Sequence, residues 1–89
     1  MEDLIALLSD QLMAYFGDQE KDAAVAELRR DFKDYPETRR IFKEGLARAL
    51  SDPSVDPVRL VESAANVAVR GSAEQARAWL RGLQAELFP

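Results

Sequence analysis

Apolar residues recur every three or four positions along this chain, and the pattern breaks only at glycine and proline. That period belongs to the α-helix. Leu4, Ile5, Leu8, Leu12, Tyr15 and Phe16 predict a first helix over about residues 3–16, with Gly17 closing it in a left-handed turn. Asp18 is then expected to cap a second helix over about 19–34, with Glu20 and Asp22 beside the positive end of its dipole. Its stripe is Val25, Leu28, Phe32 and Tyr35, with Ala24 alongside. Tyr35 must end it, because a residue before proline is pushed out of helical geometry, and Pro36 suits the first position of a third helix.

The third helix carries Ile41, Phe42, Leu46, Ala49 and Leu50 to about Ser51. Gly45 in its interior costs roughly 1 kcal/mol relative to alanine, and close approach of another helix is the expected compensation. Residues 51–57 hold Pro53, Pro57 and several capping residues, so they read as a loop. Asp56 and Pro57 start a fourth helix whose buried side is Val58, Val61, Ala64, Ala65, Ala68 and Val69, closed by Gly71. Ser72 with Gln75 forms a capping-box pattern for a fifth helix, which buries Ala76, Trp79, Leu80, Leu83 and Leu87. No segment reads as a strand and none repeats. The expected fold is all-α: a compact single-domain bundle of about five short helices over residues 1–89, joined by short linkers.

The 89 residues include no cysteine and no histidine. Disulfides and thiolate metal sites are thereby excluded, as are a Ser–His–Asp triad and a histidine-bearing zinc site. No apolar run approaches the ~20 residues of a membrane span, and the start, Met1-Glu2-Asp3, is acidic where a secretory signal is basic. The expectation is a cytoplasmic protein with no membrane partner. No cofactor is expected, because there is no glycine-rich phosphate loop, and a small-molecule ligand is not expected either.

Charge is unevenly placed. Residues 1–37 hold ten carboxylates and four bases, whereas residues 38–89 hold six and eight. An acidic surface repels nucleic acid, and charge of one sign without catalytic groups points to a partner of the opposite sign. Glu27, Asp31 and Asp34 stand at i, i+4 and i+7, on one face of the second helix. They read either as a solvated face salt-linked through Arg30 or as a stripe for a basic partner; catalysis by paired carboxyls ranks last, since nothing points to an apolar pocket that would raise a pKa. Asp18, Glu20 and Asp22 read as capping residues or as further contacts, and they lack the ligand order of a calcium loop. Arg29-Arg30 and Arg39-Arg40 are expected to be salt-paired with surrounding carboxylates. Trp79 reads as core, and Tyr15 and Tyr35 lie on apolar faces with hydroxyls near the surface.

Several of these features occur together in one known family. Tyr15-Phe16 ends the first helix and is followed by Gly17-Asp18-Gln19; an acidic amphipathic middle leads to the segment 46–52 and its Pro/Asp loop; Ser72, Trp79-Leu80 and Leu83 close the chain. In order and spacing this resembles the small helical immunity proteins of bacterial contact-dependent growth inhibition systems. The family usually has a polar pair, often with histidine, between its aromatics and its aspartate, where this chain has Gly17 alone. The resemblance implies a cytoplasmic, non-catalytic antidote that binds the toxic carboxyl-terminal domain of a delivered protein. Many such toxins are nucleases, often cleaving transfer RNA. A nuclease presents positive charge to phosphate, so an acidic inhibitor suits it. The expected partner is a basic toxin domain in a 1:1 complex, contacted by Asp18, Glu20, Asp22, Glu27, Asp31 and Asp34 with Tyr15 or Tyr35 as an aromatic anchor. A non-catalytic self-associating helical module is the alternative.

Overall fold

In the computed structural model, which describes residues 3–89, five helical stretches follow one another and no strand occurs among the described residues. Met1 and Glu2, which entered the charge and localisation readings, lie outside that range. The Asp3 carboxylate accepts the backbone N–H of Ala6 at 3.1 Å and so caps α1 (Leu4–Phe16). Pro36 opens α3 (Pro36–Ser51) directly after α2 (Lys21–Asp34), with Tyr35 in a non-helical conformation between them. Asp56 accepts from the amides of Val58 and Arg59 and starts the short α4 (Pro57–Arg59). Ser72 Oγ accepts from Gln75 N–H at 3.1 Å and starts α5 (Ala73–Leu87).

Two expectations at the first junction are corrected. Gly17 is right-handed, with φ −66°, and its N–H still bonds to Met13 C=O, so no left-handed exit forms there. Asp18 does not cap α2. Helical bonding begins with Ala24 N–H to Glu20 C=O, so Glu20 occupies the cap and makes no side-chain cap bond. A carboxylate at position 18 is two residues too early to reach the free amides.

The fourth helix is also corrected. It runs in α register only to Arg59, continues as a π-helical turn over Leu60–Ala64, and stops there rather than at Gly71. Ala65 N–H reaches Leu60 C=O and Val67 N–H reaches Val61 C=O, so the hydrogen-bond register lengthens until helix gives way. The chain then crosses to α5 as a non-helical strap through residues 65–71. Val69 is buried from the strap, Val67 half-buried, and Ala68, expected in the core, is exposed.

Leu8, Leu12, Leu28, Phe42, Leu46, Val61, Leu80 and Leu83 are enclosed at the centre, and the buried residues described are all apolar apart from glycine and proline. α1 lies against α3, and Gly45 is where they meet. A Cβ built on Gly45 would stand 3.1 Å from Leu8 Cβ and 3.2 Å from Leu8 Cδ2. The expected close approach is therefore present, and the neighbour is α1.

Trp79 is half-buried rather than enclosed. Its ring meets Phe16 edge-on at 5.3 Å, and Lys21 Nζ lies over it at 5.7 Å while pairing with Glu86 at 3.0 Å. That clamp ties the first turn of α2 to the last turn of α5. Among the described residues no helix is long and apolar enough to cross a membrane.

Candidate functional site

The seam between the end of α1 and the middle of α2 gathers four of the eight expected site residues. Tyr15 leaves α1 with its ring edge-on to Phe42, at 6.1 Å and 79°, and this fixes the direction of its hydroxyl. That hydroxyl donates to Asp31 Oδ2 at 2.7 Å. Gln19, four residues beyond Tyr15, turns back: its Nε2 donates to Tyr15 C=O at 2.8 Å and to Glu27 Oε2 at 3.1 Å. Tyr15, Gln19, Glu27 and Asp31 are all half-buried, and Tyr35, the last residue before Pro36, is 59% exposed.

Glu27 and Asp31 thus face the Tyr15 side of α2 rather than open solvent. The expected salt link through Arg30 does not form: among the described residues neither Glu27, Asp31 nor Asp34 pairs with a base within 4 Å. Arg29 and Arg30 are exposed and make no ion pair among the described residues, which corrects the expectation that both doublets are neutralised. Arg40 does pair, with Glu37 and Glu44, whereas Arg39 lies over the ring of Phe88 at 5.5 Å. The reason is geometric: Arg30 extends from the exposed side of α2 while Glu27 and Asp31 lean toward α1.

Electrostatically the seam is a pair of carboxylates held by neutral donors. Partial burial pushes the Tyr15 phenol well above its ordinary value of 10, and the hydrogen bond to Asp31 and the negative charges of Asp31 and Glu27 act in the same direction. The folded state therefore keeps a proton that the unfolded chain loses above pH 10, so stability falls as pH rises past 10. Two tyrosines are present. In a Tyr35→Phe variant Tyr15 is the sole phenol, and its ultraviolet titration should show no phenolate until well past pH 10. A Tyr15 titrating at its ordinary value would mean that the bond to Asp31 does not hold in solution.

The remaining expected residues lie elsewhere. Asp34 is exposed near the end of α2. Asp18 and Glu20 are exposed on the α1–α2 connection, where they line an open groove of about 350 Å³ whose other wall is Ala65, Asn66 and Val67. Asp22 is exposed on the first turn of α2. None of the eight lines a larger groove, about 680 Å³, which runs between α1 and residues 54–63 beside the 53% exposed Met13. No group of three acidic side chains suited to a metal ion occurs among the described residues.

Two functional candidates carried little signal in the sequence. Gln19 bridges the seam, and only its i, i+4 spacing from Tyr15 hints at that. Glu62 accepts the backbone amides of Val69 at 3.1 Å and Gly71 at 3.2 Å, a contact with no helical spacing to betray it. Compared with protein-family models, with curated proteins and with solved structures, the chain matches none.

Proposed function

We propose that this chain is an immunity protein: a non-catalytic binder that docks the seam of α1 and α2 against a basic toxin domain in a 1:1 complex. The observation that carries this reading is the Glu27–Asp31 pair. The two carboxylates are half-buried and pair with no cation among the described residues; Asp31 accepts from Tyr15, and the exposed Tyr35 follows four residues after Asp31. Orienting them through Gln19 and Tyr15 means that less side-chain freedom is lost when a cation arrives. An exposed tyrosine beside carboxylates is a suitable surface for an arginine, which pairs with one and stacks on the other. Exposed Asp18, Glu20, Asp22 and Asp34 add negative charge to the α1–α2 connection and the two ends of α2, which speeds encounter with a basic partner at low salt. Enzymatic inhibition follows in this reading from occupying the surface that would otherwise hold phosphate.

This reading predicts that a neighbouring gene ends in a basic toxin domain, and the test measures binding to that domain. Glu27→Gln with Asp31→Asn removes both charges and leaves oxygens to accept from Gln19 and Tyr15, so folding is preserved. Affinity should fall roughly 10- to 100-fold, corresponding to about 1.4–2.8 kcal/mol, and the salt dependence of binding should flatten. Tyr35→Ala, at a surface position, should weaken binding by a further factor of about ten. Unchanged affinity in both variants, with the chains folded, would place the interface elsewhere. Failure of the neighbouring basic domain to co-purify at all would remove the immunity reading itself.

A further inference from the structure

Residues 57–71 hold a conflict between local sequence and backbone. Val58, Val61, Ala64, Ala65, Ala68 and Val69 keep helical spacing, and three of these are alanine, the best helix former. Yet helix ends at Ala64 after a π-helical turn, a form that is rare and recurs at functional sites. Beyond it, Asn66 and Arg70 are both left-handed, at φ 58° and φ 51°, and Gly71 is at φ 75°. Glycine adopts that region freely and asparagine tolerates it, whereas arginine gains nothing there. The strap thus sets aside favourable helix and adopts two unfavourable backbone conformations.

Three contacts hold it in place. Glu62 accepts from Val69 N–H and Gly71 N–H, fastening both ends of the last turn of the strap. Val69 inserts into the core at 4% exposure. Val67 N–H reaches back to Val61 C=O. Glu62 itself stands inside the π-helical turn, so the residue that fastens the strap belongs to the register that ends the helix.

We propose that residues 65–71 form a two-state strap with Glu62 as its latch. In the latched state the strap crosses to α5 as observed. In the released state Val69 and Gly71 leave the carboxylate, the π-helical turn relaxes to α register, and α4 runs on into the strap. A helix advances 1.5 Å per residue, against about 3.3 Å for extended chain, so release draws on Ser72 and loosens the first turn of α5. The first turn of α5 should therefore open while α1 and α3 stay closed, and the strap amides trade their present partners for helical carbonyls. Release also removes one wall of the groove that Asp18 and Glu20 line, so a partner bound at that groove selects between the two states.

Amide hydrogen exchange on the intact chain tests this. In the native protein the amides of Gln75 and Ala76, bonded to Ser72 in the latched state and freed on release, should exchange at least tenfold faster than those of Leu12 and Leu46, through an opening that denaturant hardly affects. Glu62→Ala should speed that group a further tenfold or more, leave Leu12 and Leu46 unchanged, and raise far-ultraviolet helicity. Asn66→Gly relieves the backbone without touching the latch, so it should slow the same group several-fold. The proposal is overturned if the Gln75 and Ala76 amides exchange only by global unfolding in the native chain, or if Glu62→Ala speeds all amides equally or lowers helicity. Should Glu62→Ala not fold, Asn66→Gly decides, since a strap with no released state gives no selective slowing.

Discussion

Gly45→Val should lower stability by about 2–3 kcal/mol, a drop in Tm on the order of 10–20 °C for a domain of this size. Two effects compete. Replacing glycine inside α3 recovers some helix propensity, a few tenths of a kcal/mol for valine. Against that, Cβ alone would stand 3.1 Å from Leu8 Cβ, an atom fixed to the α1 backbone that cannot rotate away. The valine methyls would press on Leu8 Cγ and Cδ2, at 3.4 Å and 3.2 Å from that Cβ, and Leu8 is fully enclosed. Crowding therefore wins over propensity. For Gly45→Ala the gain of about 1 kcal/mol and the cost of parting two helices by a few tenths of an ångström nearly cancel. The assignment is checked by a double-mutant cycle. Leu8→Ala removes Cγ and Cδ2, so Gly45→Val should cost at least 1 kcal/mol less in that background than alone. Equal cost in both backgrounds would mean that the clash is with Leu8 Cβ and the α1 backbone that carries it, not with Cγ and Cδ2.

Gly45 also shows what a helical sequence reveals and what it conceals. A glycine on the buried side of an amphipathic pattern announces that something comes close, but periodicity does not say which helix. The breaks at Pro36 and Pro57 and the caps at Asp56 and Ser72 were readable because each acts within three residues of itself. Helix four misled for the complementary reason. Its Ala- and Val-rich spacing is locally helical, and what overrides it is Glu62 reaching seven and nine residues along the chain. At the seam, the shared face of Glu27 and Asp31 followed from spacing alone, whereas Asp34, at i+7, is exposed near the end of α2 and does not join them. Whether that face met Arg30 or α1 depended on the rotation of α2 in the bundle, which is fixed by packing of Ala24, Val25 and Leu28. So the carboxylates were legible as a group, and their partners Tyr15 and Gln19 were not.

Phe42→Ala should be the most damaging single change, costing about 3–5 kcal/mol, a large part of the roughly 5–10 kcal/mol available to so small a domain. Phe42 is fully enclosed and stands at a junction of rings: Tyr15 of α1 at 6.1 Å and Phe32 of α2 at 6.0 Å. Phe32 in turn stacks on Phe88 at 5.5 Å, beyond the end of α5, and Arg39 covers that ring. One side chain on α3 therefore links the first two helices directly and the carboxyl end through a neighbour. Alanine leaves a cavity that these rings cannot fill without breaking other contacts, whereas Phe42→Leu keeps most of the volume and should cost under about 1.5 kcal/mol. The conservative variant separates packing from the site. Leucine has no ring for Tyr15 to meet edge-on, so the phenol gains freedom and spends less time on Asp31. In Phe42→Leu combined with Tyr35→Phe, the Tyr15 titration should move down toward 10 while denaturant unfolding stays cooperative. A phenol that keeps its raised titration without the ring would show that Asp31 and partial burial suffice to place it. If the titration moves as expected, the geometry of the surface proposed for a basic partner is set by the core, and under that proposal core substitutions at Phe42 weaken binding without touching the surface.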